Sequence, residues 1–149
     1  MLPSSENEEV WNYLEKRFGA SRDSIPYQVR KVSDDYWLVS EQMETGLEVE
    51  TYGIRFLRAT GMGLKPTTYA LQILQEELDK NIVEVDREEL LDLLHRREMI
   101  PREMEEKGYV AIKYEGRVIG CGFYMDEKVS SRIPKGRSKE LAATLESRE

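Results

Sequence analysis

One histidine, His95, and one cysteine, Cys121, limit the chemistry this chain can do. A histidine-based metal site or a nucleophile–histidine–carboxylate triad has no second place to stand. A single cysteine excludes an internal disulfide and any multi-cysteine zinc site. Cys121 lies between Gly120 and Gly122 and reads as a small buried residue. His95 falls near the end of a helical stretch, where a cation suits the helix dipole, and reads as structural or solvated. The acidic pairs Glu76-Glu77, Glu88-Glu89 and Glu105-Glu106 sit in helices or linkers and read as solvated faces. No G-x-G-x-x-G follows a strand and no GxxxxGK[ST] occurs. No catalytic residue, metal ligand or cofactor is expected.

What remains is the distribution of basic residues. The net charge is −7, which by itself argues against simple binding to phosphates. The stretch Lys107 to Lys139, however, holds eight basic residues and three acidic ones, a local +5, leaving −12 for the rest. A basic end on an acidic body is the pattern of an RNA footprint; the alternative is an ordinary solvated surface.

The elements that must position these charges centre on Gly108 to Arg137. Tyr109 to Tyr114 and Arg117 to Met125 read as strands of a hairpin, joined by Glu115-Gly116, since glycine takes the positive φ of a two-residue turn. With Tyr114 opposite Arg117, straight pairing sets Ile112 against Ile119 and Val110 against Cys121 on a core face. The other face then carries Tyr109, Ala111, Lys113, Val118, Gly120, Gly122 and Tyr124. Val129 to Ile133 is a last strand, Lys135-Gly136-Arg137 a basic turn, and Ser138 to Glu149 a frayed helix or a disordered tail.

Upstream, Ser5 with Glu8 reads as a capping box. It opens a helix with Val10, Leu14 and Phe18 on one face and Trp11 beside them, ended by Gly19. Gln28 to Val32, Tyr36 to Ser40, Gly46 to Glu50 and Thr51 to Arg58 read as strands. Trp37 is assigned to the core, with base stacking as the alternative. Thr60 to Thr68 reads as a flexible Gly-rich loop before a helix from Thr68 to Asp79, where backbone N–H groups could meet a phosphate. Asn81 marks a domain border. Ile82 to Val85 is a strand. Asp86 with Glu89 caps a helix with Leu90, Leu91 and Leu94 on its apolar face. Ile100-Pro101 stops that helix, and Arg102 to Lys107 is a charged connector.

The segments GYVAIKYEGRVIGCGFY and RIPKGR resemble the closing part of a PUA-like RNA-binding module. The version most similar is the one appended to archaeal Sun-family RNA cytosine-5 methyltransferases, where a segment like Lys65 to Gln72, KPTTYALQ, lies upstream. The order of elements is also similar to a small PUA-containing ribosome-biogenesis factor. Here the module is expected to stand alone, without the methyltransferase domain. The resemblance implies an α+β protein. An N-terminal domain, 1–80, would pack two helices on a mostly antiparallel sheet, and a C-terminal domain, 81–149, would form a PUA-like β pseudo-barrel. It further implies Lys113, Arg117, Arg132, Lys135 and Arg137 as phosphate contacts; Arg55, Arg58 and Lys65, near the Gly-rich loop, are weaker ones, and Tyr109 and Tyr124 are read as packed, with stacking on a base as the alternative.

The function expected is non-catalytic binding of structured tRNA or rRNA in RNA modification or ribosome biogenesis, with catalysis supplied by a partner enzyme. The alternative is a protein–protein adaptor on the same scaffold, docking a modifying enzyme or a ribosome-assembly protein. A small enzyme on an unrecognised site is a third class. No run approaches the roughly 20 apolar residues of a membrane span. The lone cysteine and the polar N-terminus point to a reducing, cytoplasmic setting.

Overall fold

The apolar residues at Val10, Leu14 and Phe18 fall one helical repeat apart and all are buried. They lie on α1 (Ser4–Phe18), which begins one residue before the Ser5 expected to cap it. Gly19, at φ +79°, ends the helix as expected, and the Ala20 N–H closes onto the Leu14 carbonyl. These residues belong to a computed structural model that describes residues 4–21, 28–39, 54–61, 63–95 and 97–147. The strand expected over Gly46 to Glu50 lies outside the described residues. The chain divides into two units, Met1–Lys80 and Asn81–Glu149.

The first unit contains a four-stranded antiparallel sheet in the order β1 (Gln28–Val32), β2 (Asp35–Val39), β3 (Ile54–Thr60), β4 (Gly63–Pro66). Lys65 and Pro66 are therefore not in a flexible loop. Gly61 belongs to the turn of a β3–β4 hairpin in which Arg58 pairs with Lys65. Helix α2 covers Thr68–Ile73 only, capped by Thr67, whose hydroxyl accepts the Ala70 N–H. It stops well before Asp79 because Gln75 and Glu77 bond three residues back, to Gln72 and Leu74, tightening the backbone into turns. Leu74 and Leu78 stay buried beyond the helix. Trp11 of α1 lies against Phe56 of β3 at 5.9 Å between ring centroids.

The second unit contains a five-stranded sheet in the order β5 (Ile82–Val85), β7 (Gly108–Tyr114), β8 (Arg117–Met125), β9 (Lys128–Ser131), β6 (Ile100–Pro101). Only β5 and β7 run parallel. Ile100-Pro101, read as a helix stop, pairs instead with Val129 and Lys128. Helix α3 (Arg87–Leu94) starts at the Asp86–Glu89 capping box and buries Leu90, Leu91, Leu93 and Leu94. The basic turn at Lys135 is the first turn of α4 (Lys135–Ser147), whose Ala142 and Leu145 join the same core as Val83, Val110, Ile112, Val129 and Ile133. The burial of those two apolar residues is what orders a segment whose sequence is mostly polar.

The central hairpin has the expected turn, with Glu115 at φ +50° and Gly116 at φ +82°. Its register is not the straight one. Lys113 pairs with Val118, but Ile112 pairs with Gly120, so Ile119 is an extra residue on β8. Such a bulge exchanges the two faces beyond it. Val110 and Ile112 share the core face with Gly120, Gly122 and Tyr124, while Cys121 moves to the face of Tyr109, Ala111 and Phe123. Gly122 is needed there: a Cβ would lie 2.9 Å from both the Ile112 Cδ1 and the Ser130 carbonyl.

Candidate nucleic-acid interface

The end of α3 and the start of α4 bring basic residues together from segments far apart in the chain. His95 is the exposed C-cap of α3, its N–H on the Leu91 carbonyl. Arg97, at φ +56°, donates from Nη1 to the Ile133 carbonyl and to the Ser138 hydroxyl, both at 3.0 Å. Ser138 is 1% exposed, and its N–H bonds the Pro134 carbonyl. These bonds fix the guanidinium beside the first turn of α4, where Lys135 and Lys139, four residues apart, share one helix face. His95, Arg97, Lys135 and Lys139 line a cleft of about 600 Å³, floored by Leu94, Ala142 and Ala143; among the described residues, no carboxylate lines it. A guanidinium held in place beside two lysine ammonium groups can receive a phosphate.

Within the second unit, the residues expected to bind RNA do not converge. Of the five on the hairpin and tail, Lys135 lines this cleft. Arg137 is on the same helical turn, but its guanidinium pairs with Glu140 at 3.3 Å. Arg117, exposed at the start of β8, lines a different cleft together with Glu115, Tyr114 and Leu141. Arg132 is half-buried, with its guanidinium 5.2 Å from the centroid of the buried Phe123 ring, so it packs on the sheet. Lys113 is half-buried in mid-strand beside its register partner Glu84. In the first unit, Arg55 and Arg58 both reach Asp35, at 3.2 and 3.5 Å, and Lys65 is half-buried on β4.

Tyr109 and Tyr124 are both buried. Tyr109 meets Phe123 edge-on at 5.0 Å, and the Tyr124 hydroxyl accepts the Met104 N–H. Neither offers a ring face to a base. Sequence reasoning did not single out Arg97 and Lys139. The i, i+4 spacing of Lys135 and Lys139 becomes informative only with the helix starting at Lys135, where the sequence reads as a basic turn before a frayed helix or a disordered tail. Arg97 carried no local signal, because its place depends on contacts with Ile133 and Ser138.

Among the described residues, no group of three or more histidine, cysteine or acidic side chains is arranged to hold a metal. No helix there is long and apolar enough to cross a membrane.

Comparison with known proteins bears on the second unit in particular. Two similar proteins are the ribosomal RNA small subunit methyltransferases F of Aeromonas salmonicida and Aeromonas hydrophila. They are 22% identical to this chain over 137 and 138 residues, in each case 90% of this chain. The chain spans only 28% of the length of either relative. Both organisms are bacteria, so these relatives lend no support to the archaeal side of the resemblance. Residues 80–138, which contain the hairpin, its bulge and the first turn of α4, match the family model of the methyltransferase RsmF PUA domain.

Proposed function

We propose that this protein binds structured RNA through the cleft between α3 and α4, as a non-catalytic accessory to RNA modification or ribosome assembly. The observation that carries the reading is the cleft lined by the basic residues His95, Arg97, Lys135 and Lys139, with no carboxylate among its described lining residues; all of these but Lys139 fall within the segment similar to the RsmF PUA domain. The five-stranded sheet supports a scaffold curled into a PUA-like half-barrel. Phosphate contacts in the cleft would position the RNA, and the shape of a folded RNA would supply selectivity. Small-subunit rRNA is the first target to test, because the similar proteins are named for it; tRNA is the second. Catalysis would come from a partner enzyme.

The test is fluorescence anisotropy against folded small-subunit rRNA fragments and tRNA, at about 50 and 200 mM salt. Affinity that falls steeply with salt, and falls again in the Lys135→Ala/Lys139→Ala double variant, is the expected result. No binding at low salt would overturn it. One observation favours the adaptor as the second reading: Tyr69 and Ile73, one turn apart on α2, are 64% and 37% exposed, an apolar pair suited to a protein partner.

A further inference from the structure

We propose that the polar face of the four-stranded sheet, centred on Trp37, holds an unpaired nucleotide of single-stranded RNA. The proposal deepens the RNA-binding reading above and rests on it.

The face is created by a bulge. Tyr36 pairs with Leu57, but Trp37 pairs with Arg55, leaving Phe56 as the extra residue. Phe56 and Leu57 are consequently both fully buried. Arg55 and Arg58, which an odd spacing would send to opposite sides of a straight strand, emerge on the same side and reach the same carboxylate of Asp35. The register aligns Arg30, Trp37 and Arg55 across β1, β2 and β3, with Asp35, Arg58 and Lys65 in the next row. Val29, Tyr36 and Leu38 point to the other side and are buried, whereas Trp37 is only half-buried.

Among the described residues, Trp37 thus stands on a face with four basic residues and one acidic one. The Arg55 guanidinium lies 5.3 Å from the centroid of its ring. An indole with a guanidinium over it offers a flat, polarisable, cationic surface on which a base stacks. Arg58 and Lys65 lie one row away, where the phosphates flanking that base would run. A duplex cannot use this surface, because its bases are already stacked on one another. The occupant is therefore single-stranded, and the face is complementary to it in both charge and shape of contact.

Tryptophan emission of the full chain, titrated with a short oligouridylate and with an RNA duplex of the same length, tests this directly. Trp11 is 5% exposed and serves as the unresponsive background. Oligouridylate is expected to quench the emission, and Trp37→Phe to abolish the quench while keeping most of the affinity. Trp37→Ala is expected to raise the Kd for oligouridylate by about 5- to 150-fold, leaving duplex affinity unchanged. Oligouridylate that binds by anisotropy without altering wild-type emission overturns the platform and leaves the cleft reading standing. No binding of either RNA, folded or single-stranded, removes both.

Discussion

The Glu89 carboxylate takes both terminal nitrogens of the Arg102 guanidinium, at 2.6 and 2.9 Å. The same guanidinium bonds the carbonyls of Pro101 and Glu84, and the same carboxylate accepts the Asp86 N–H as the third residue of the α3 capping box. One ion pair therefore joins the end of β5, the first turn of α3 and the connector after β6. The hydrogen bond from Arg102 holds Glu89 below its ordinary value of 4.5, against a smaller opposing effect of burial. The Arg102 guanidinium is raised in turn, chiefly by its hydrogen bond to Glu89.

A pH dependence follows. Glu89 has a depressed folded value, so its stabilisation is complete above the unfolded carboxylate value. It is lost as pH falls from about 4.5 through the depressed value. Urea unfolding over this range is expected to show the wild type losing stability faster than Glu89→Gln. At neutral pH, Arg102→Ala is expected to lower the unfolding free energy by about 1–3 kcal/mol. Parallel acid profiles for wild type and Glu89→Gln would show that the pair contributes nothing.

Gly122→Ala is expected to destabilise the second unit by about 1–3 kcal/mol. Ile112 Cδ1 is the mobile tip of a side chain and can move aside; the Ser130 carbonyl, equally close at 2.9 Å, is held in the sheet. Gly61→Ala serves as the control, since no atom lies within 4 Å of its added Cβ. Thermal melts of the two variants should differ accordingly.

The β8–β9 turn offers a gain instead. Asp126 and Glu127 both have positive φ, +54° and +64°, as the mirror-image two-residue hairpin turn requires. Aspartate tolerates this conformation and glutamate is strained in it. Glu127→Gly is expected to stabilise by up to about 1 kcal/mol, because the carbonyl that accepts the Arg102 N–H is retained. Gly116→Ala, at φ +82°, should change stability in the opposite direction. Chemical denaturation of both variants checks the pair.

The basic residues are expected to separate into two classes on mutation. Lys135→Ala and Lys139→Ala should each reduce the salt slope of RNA binding by about 0.7–0.9, with no change in melting temperature. Arg132→Ala should lower the melting temperature, because it removes packing on Phe123, and leave the slope nearly unchanged. Arg137→Ala, whose charge is already paired with Glu140, should have a smaller effect on the slope than either lysine. Salt-dependent anisotropy and thermal melts, run on the same four variants, measure both quantities.

The features legible along the chain are those that depend on near neighbours in it. The Asp86–Glu89 capping box, the Glu115-Gly116 turn, the end of α1 at Gly19 and the apolar stripes of α1 and α3 each involve residues within two helical turns, so propensity and spacing were sufficient. Tertiary structure alone decided the side on which each strand residue stands. A strand alternates with period two, and one extra residue reverses everything beyond it. Ile119 and Phe56 are such residues, and nothing local distinguishes them from regular strand positions. For the same reason, Gly122 and Cys121 exchanged faces, and Arg55 joined Arg58 on the side of Trp37. The cleft was equally hidden. Arg97 meets Ser138 only because α3 and α4 share one core, and contacts between segments that far apart are set by packing.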